Sequence, residues 1–154
     1  MIRNLLWLLV LLALPSIACA DQEVTFTASF PDFAVVSTAT GKVSKSGPFI
    51  SVVLERYTMR ASTKYKVPQK VLRYKIGLAL SKPNGEWDVV RWSAPFDFHT
   101  AILPGETRSI ENVKTVIPID NIPSLKDSWL VLAVELDNNG GVGYTYAHSN
   151  RGLF

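Results

Sequence analysis

The chain of 154 residues has one cysteine, Cys19, at the end of its first apolar stretch. No disulfide can form within one molecule, so an exported domain built from this sequence depends on its hydrophobic core rather than on covalent staples. Histidine is nearly as scarce, with only His99 and His148. That leaves little material for a zinc site, which takes several His, Cys or carboxylate ligands. The sequence therefore predicts no metal and no cofactor. No segment carries a sustained helical period, and no repeat or low-complexity linker divides the chain. Its one long apolar run, residues 5–14, is shorter than the roughly 20 residues that span a bilayer as a helix.

What is present at the N-terminus is a leader. In "MIRNLLWLLVLLALPSIACA", Arg3 supplies the positive start and residues 5–14 the apolar centre. Ala18-Cys19-Ala20 then gives a small-x-small cleavage site. Residues 1–20 are expected to be a signal peptide and residues 21–154 one exported domain, periplasmic or secreted. "SIAC" also resembles a lipobox, with Ser16 where leucine is usual, so the alternative is a lipoprotein anchored through Cys19.

Beyond the leader the patterning is that of strands. Residues 71–80, "VLRYKIGLAL", alternate Leu72, Tyr74, Ile76, Leu78 and Leu80 with Arg73, Lys75, Gly77 and Ala79. Pro83-Asn84-Gly85 then predicts a turn into a returning strand over 86–92. Residues 129–136, "WLVLAVEL", are apolar on both faces, as in a strand covered on both sides. Further strands are expected over 23–30, 33–39, 48–60, 95–103, 109–119 and the run after Gly141. "TGKVSKSG", "LPGE" and "IDNIPSLKD" are read as the turns between them. The fold class that follows is all-β: a single antiparallel sandwich of about 7–9 strands. An outer-membrane barrel would need strict alternation through each strand, which "WLVLAVEL" lacks.

"LPGE" followed by a strand and then "LKDSWLVLAVEL" resembles the later strands of fibronectin type III and immunoglobulin-like domains. Leu125 and Trp129 stand where those families place a leucine four residues before an aromatic. The similarity covers residues 103–147, lacks the cysteine pair and has tryptophan where tyrosine is usual. It implies an immunoglobulin-like sandwich and no activity.

"ELDNNGGVGYTYAHSN", residues 135–150, holds the most chemical-looking run. Asn139-Gly140 between two strand-like runs predicts a hairpin, because both residues tolerate positive φ. No helix with a lysine follows, as a phosphate loop requires, and no closing glutamate, as an EF-hand requires. Ser149 adjoins His148 and so points to the opposite strand face, which disfavours a nucleophile–base pair. Asp97 and His99 are expected to share a strand face, with Phe96 and Phe98 toward the core. With His148 folded nearby, that pair is the only conceivable metal site.

Charge is unevenly placed. Residues 42–75 hold nine Lys or Arg and one acid, Glu55, whereas the rest of 21–154 holds six basic and twelve acidic residues. Tyrosines interleave with the cations in "RYTMR", "KYK" and "RYK". If residues 50–60 pair with 71–80, then Arg56, Arg60, Lys64, Lys66, Arg73 and Lys75 form one positive face for an anionic or protein partner. The functional expectation is a non-enzymatic, exported binding protein: an envelope accessory, an adhesin-like module or an inhibitor or immunity-type protein. Its partner would be a protein or an anionic envelope component, such as a polysaccharide or lipid headgroup, rather than nucleic acid. One alternative is a small hydrolase or metal-dependent enzyme around His99 and His148. Another is a carbohydrate-binding module using Trp87, Trp92 and Tyr144.

Overall fold

Period-two patterning becomes nine strands in the computed structural model, which describes residues 21–29, 33–137 and 141–154. They are β1 (Gln22–Ala28), β2 (Val35–Ser46), β3 (Phe49–Ala61), β4 (Gln69–Ser81), β5 (Trp87–Trp92), β6 (Phe96–Ile102), β7 (Thr107–Pro118), β8 (Ser128–Asp137) and β9 (Val142–Ser149). There is no helix among the described residues, and every strand pairing is antiparallel. The expected leader with Cys19 and residues 138–140 of the β8–β9 connection fall outside the described residues. The strands flanking that connection pair as a hairpin requires, with Asp137 opposite Val142.

One sheet runs β5-β4-β8-β9-β1-β2-β3-β7, with β6 also on β4. β5 and β6 share one edge of β4, on its C-terminal and N-terminal halves respectively. Ser93 carries the ladder across their junction: its N–H donates to the Ile76 carbonyl (2.8 Å), and its Oγ accepts from the Ile76 N–H (3.0 Å). Pro95, which has no N–H to donate, follows the junction. β1 changes partner midway, pairing with β2 over 22–26 and with β9 over 26–28. It thereby links the two halves of the sheet.

The sheet curls until those halves face each other. Tyr57 on β3 and Tyr74 on β4, far apart in the strand order, meet edge to face with ring centres 4.9 Å apart. Around them Phe26, Ile50, Leu54, Met59, Leu78, Leu130 and Leu132 form the buried core. Burying each large apolar side chain contributes about 1.5–3 kcal/mol. That core replaces the missing disulfides.

Some local expectations change. β2 continues to Ser46, through residues read as a turn. Gly41 marks a bulge there, because a side chain at 41 would collide with the Val53 carbonyl of β3. The tight turn comes later, at Gly47 with φ 55°. In β4 an irregularity between Val71 and Arg73 makes Val71, not Leu72, the core residue. Phe96 is exposed rather than core-facing and stacks on Tyr74 at 5.1 Å. The β4–β5 hairpin forms as expected, with Gly85 at φ 84°.

Candidate functional site on the outer face of β5, β4, β8 and β9

The expected positive face needs β3 beside β4, and the sheet separates them. β3 lies between β2 and β7, and β4 between β8 and the β5/β6 edge. Tyr57 and Tyr74 point inward and touch, so their neighbours Arg56 and Arg73 point outward from opposite walls of the curl. Register also brings acids to the cations. Arg56 faces Glu111 (3.8 Å), Lys70 faces Asp137 (3.4 Å), and Lys42 meets Glu55 (3.2 Å). Arg60 lines a hollow with Val36 and Ser62. Lys64 and Lys66 lie on the β3–β4 connection, where Lys66 Nζ donates to the Thr63 carbonyl at 3.4 Å.

A different surface gathers the chemistry. On the outer side of β5, β4, β8 and β9, small residues form the floor: Gly77 and Ala79 on β4, Ala133 on β8. A Cβ on Gly77 would run into Trp92 and Val89, so glycine lets those side chains lie flat over the sheet. Ala79, Trp129 and Val131 form a second buried cluster, flanked by Val89 and Tyr146. The apolar stretch of β8, residues 129–134, is thus covered outside by side chains, not by another layer of backbone. Leu125 packs against the main core, whereas Trp129 belongs to this outer cluster.

Aromatic rings and cations cover the floor. Lys75 Nζ lies 4.2 Å from the centre of the Trp92 ring and 6.0 Å from that of Tyr144. Tyr144 stacks beside Tyr146 at 6.3 Å. At the other end Trp87 meets Trp129 at 6.1 Å and His148 at 5.4 Å, and the Arg151 guanidinium lies 4.7 Å over Trp129. Trp129 is 4% exposed, but Trp87 and Tyr144 are 41% and 42% exposed. Tyr144, Trp92 and Trp87 fall in the cross-strand rows of Arg73, Gly77 and Ser81. The Lys75 ammonium lies between the Trp92 and Tyr144 rings and links these two positions of the row.

Electrostatics fix one end of this row. Arg73 donates from Nε and Nη2 to Glu135 at 2.9 and 3.1 Å, a two-pronged pair. Those bonds hold the Glu135 carboxyl below the usual carboxylate range. Burial, then the Glu135 charge, pushes the Tyr144 phenol up, so its hydroxyl stays protonated and donates to Glu135 Oε2 at 3.3 Å. Burial also lowers the His148 imidazole from its ordinary value, 6.5.

No protein family, curated protein or solved structure matches the chain.

The two histidines do not come together. His99 lies in a β6 irregularity with φ 44°, which breaks the expected alternation with Asp97. It is separated from His148 by the width of β4 and β8 and several residues along them, roughly 20 Å at strand spacing and rise. Among the described residues no cluster of three His, Cys, Asp or Glu is placed to hold a metal ion. Ser149 points inward, accepting from the Leu130 N–H (2.8 Å) and donating to the Asn150 carbonyl (2.8 Å). Its hydroxyl is a structural tie, on the face opposite His148. Of the residues singled out in the sequence, the face joins Arg73, Lys75, Trp87, Trp92, Tyr144 and His148. It leaves Arg56, Arg60, Lys64 and Lys66 elsewhere. Trp129, Tyr146 and Arg151 were not foreseen, although the tyrosine–tyrosine alternation of "YTYAH" carried a signal for one of them.

Proposed function

We propose that the chain is a non-enzymatic, exported binding module that holds an anionic polysaccharide of the cell envelope against this outer face. One observation carries the reading. Of four tryptophans, the three within residues 21–154 all lie on this face, and the main core contains none. A pyranose ring has an apolar C–H face that packs on a flat aromatic, and its hydroxyls reach past the ring edge. A shallow row of rings suits an extended polymer better than a small molecule, which favours a concave pocket. Lys75 and Arg151, already over aromatic rings, supply charge for carboxylate, sulfate or phosphate groups on the chain.

The test uses residues 21–154 in affinity electrophoresis through polygalacturonate, alginate and lipopolysaccharide, each against an uncharged polymer. At least one acidic polymer should retard the protein. Trp87→Ala combined with Tyr144→Ala should weaken that binding at least tenfold, about 1.4 kcal/mol. Both side chains are substantially exposed, so the fold should survive, which circular dichroism checks. Lys75→Ala should remove the preference for the charged polymer. Equal mobility of wild type and double variant in every polymer would reject the reading.

A further inference from the structure

β1 begins, β2 ends and β9 runs out at one end of the curl, and there a cavity of about 410 Å³ opens. Its size falls within the range typical of small-molecule sites, which recur at the mouths of β-barrels. Val43 on β2, Leu125 on the β7–β8 connection, and Leu153 and Phe154 after β9 give it apolar walls. Val43 and Leu153 are buried in the main core, and Leu125 and Phe154 pack against it. The cavity thus lies in the rim of that core, apart from the outer row of rings.

Two lysines also line it, and no acidic side chain does. Lys45 is the sharper signal. It shares the inner face of β2 with Val43 and stands opposite Ile50, which is fully buried. Val35, Ala39 and Val43 fill that face earlier in the strand, whereas position 45 carries an ammonium. Lys126 follows Leu125 on the connection that lines the same cavity. Neither ammonium pairs with an acid among the described residues, although Lys42 on the same strand finds Glu55 at 3.2 Å. We propose that this cavity binds a free fatty acid, its chain against the apolar walls and its carboxylate beside Lys45 and Lys126.

Charge complementarity selects this class. An uncharged hydrocarbon would leave both ammoniums without a counter-charge. A small polyanion would leave the apolar walls wet. A fatty acid offers one apolar chain and one anionic head. Lysine stems lie along apolar surface and hold their charge at its edge, which is where the head of a chain lying in the cavity emerges. The assignment does not rest on the polysaccharide reading, because no residue of the outer row lines this cavity.

The experiment is ¹⁵N-correlation NMR on residues 21–154 titrated with acetate, butanoate, octanoate and octan-1-ol below the concentrations at which they self-associate. Octanoate should shift the amides of Val43, Lys45, Leu125 and Lys126, and affinity should rise about fourfold per methylene from butanoate to octanoate. Lys45→Gln with Lys126→Gln should weaken octanoate at least tenfold and leave octan-1-ol binding unchanged. Both side chains are exposed, so the melting temperature should hold. Trp87→Ala with Tyr144→Ala should bind octanoate as tightly as wild type, so the two sites fail separately. The assignment is overturned if octanoate shifts none of these amides, if acetate shifts them as strongly, or if the Lys45→Gln/Lys126→Gln variant binds octanoate as tightly as wild type. Shifts produced by phosphatidylglycerol vesicles and not by octanoate would also overturn it, giving the lysines to a membrane surface.

Discussion

At the residue scale, His148 reports most simply on the outer face. Trp87 lies against its ring, and burial holds its pKa below 6.5. A group with a depressed folded pKa contributes its stability above the unfolded value and loses it as pH falls through the folded one. His148 should therefore titrate with an NMR midpoint below 6.5, and the protein should lose stability on acidification from that pH downward. Glu135 adds the same sign lower, its contribution complete above about 4.5 and fading as pH falls further. A His148 midpoint at or above 6.5 would contradict its placement under Trp87. In sequence, the adjacency of Ser149 and His148 already set them on opposite strand faces, and the inward hydrogen bonds of Ser149 agree with that reading. Trp87, Trp92 and Tyr144 were legible as possible ligand-stacking residues. Their convergence was not, because it depends on β5 and β9 flanking the β4–β8 pair.

At the scale of elements, period-two alternation made β4 readable, since a strand with one buried face must alternate, and the unbroken apolar run of "WLVLAVEL" made β8 readable as a strand covered on both faces. The errors lie where a bulge breaks that period. Gly41 looked like a turn former, yet it sits inside β2 because β3 approaches too closely for any side chain. Gly41→Ala should consequently cost about 1–3 kcal/mol, the usual penalty of forced overpacking. Urea unfolding would read this as a lower midpoint with an unchanged slope. An unchanged midpoint would mean that no bulge is present. Leu72 and His99 lost their expected faces for the same reason: each lies at a register irregularity that hydrophobic pattern alone does not reveal.

For the whole molecule, the strong basic bias of residues 42–75 is partly offset and dispersed on folding. Antiparallel register places Glu111, Glu135 and Asp137 opposite Arg56, Arg73 and Lys70, and the curl turns Arg56 and Arg73 away from each other. Charge along a sequence predicts a charged surface only when the strands carrying it are neighbours. Charge reversal at Arg56 and Arg60 together should therefore leave polysaccharide binding unchanged, whereas Lys75→Ala should weaken it most at low salt, where screening is least. The most direct test of the central claim is a ¹⁵N-correlation spectrum of the tryptophan indoles in residues 21–154, titrated with the acidic polymer that retards the protein. Its three indole signals all report on the outer face, with Trp129 largely covered and Trp87 and Trp92 more accessible. Polymer should shift the Trp87 and Trp92 signals and move that of Trp129 less. Polymer binding that leaves all three indole signals in place would contradict the claim.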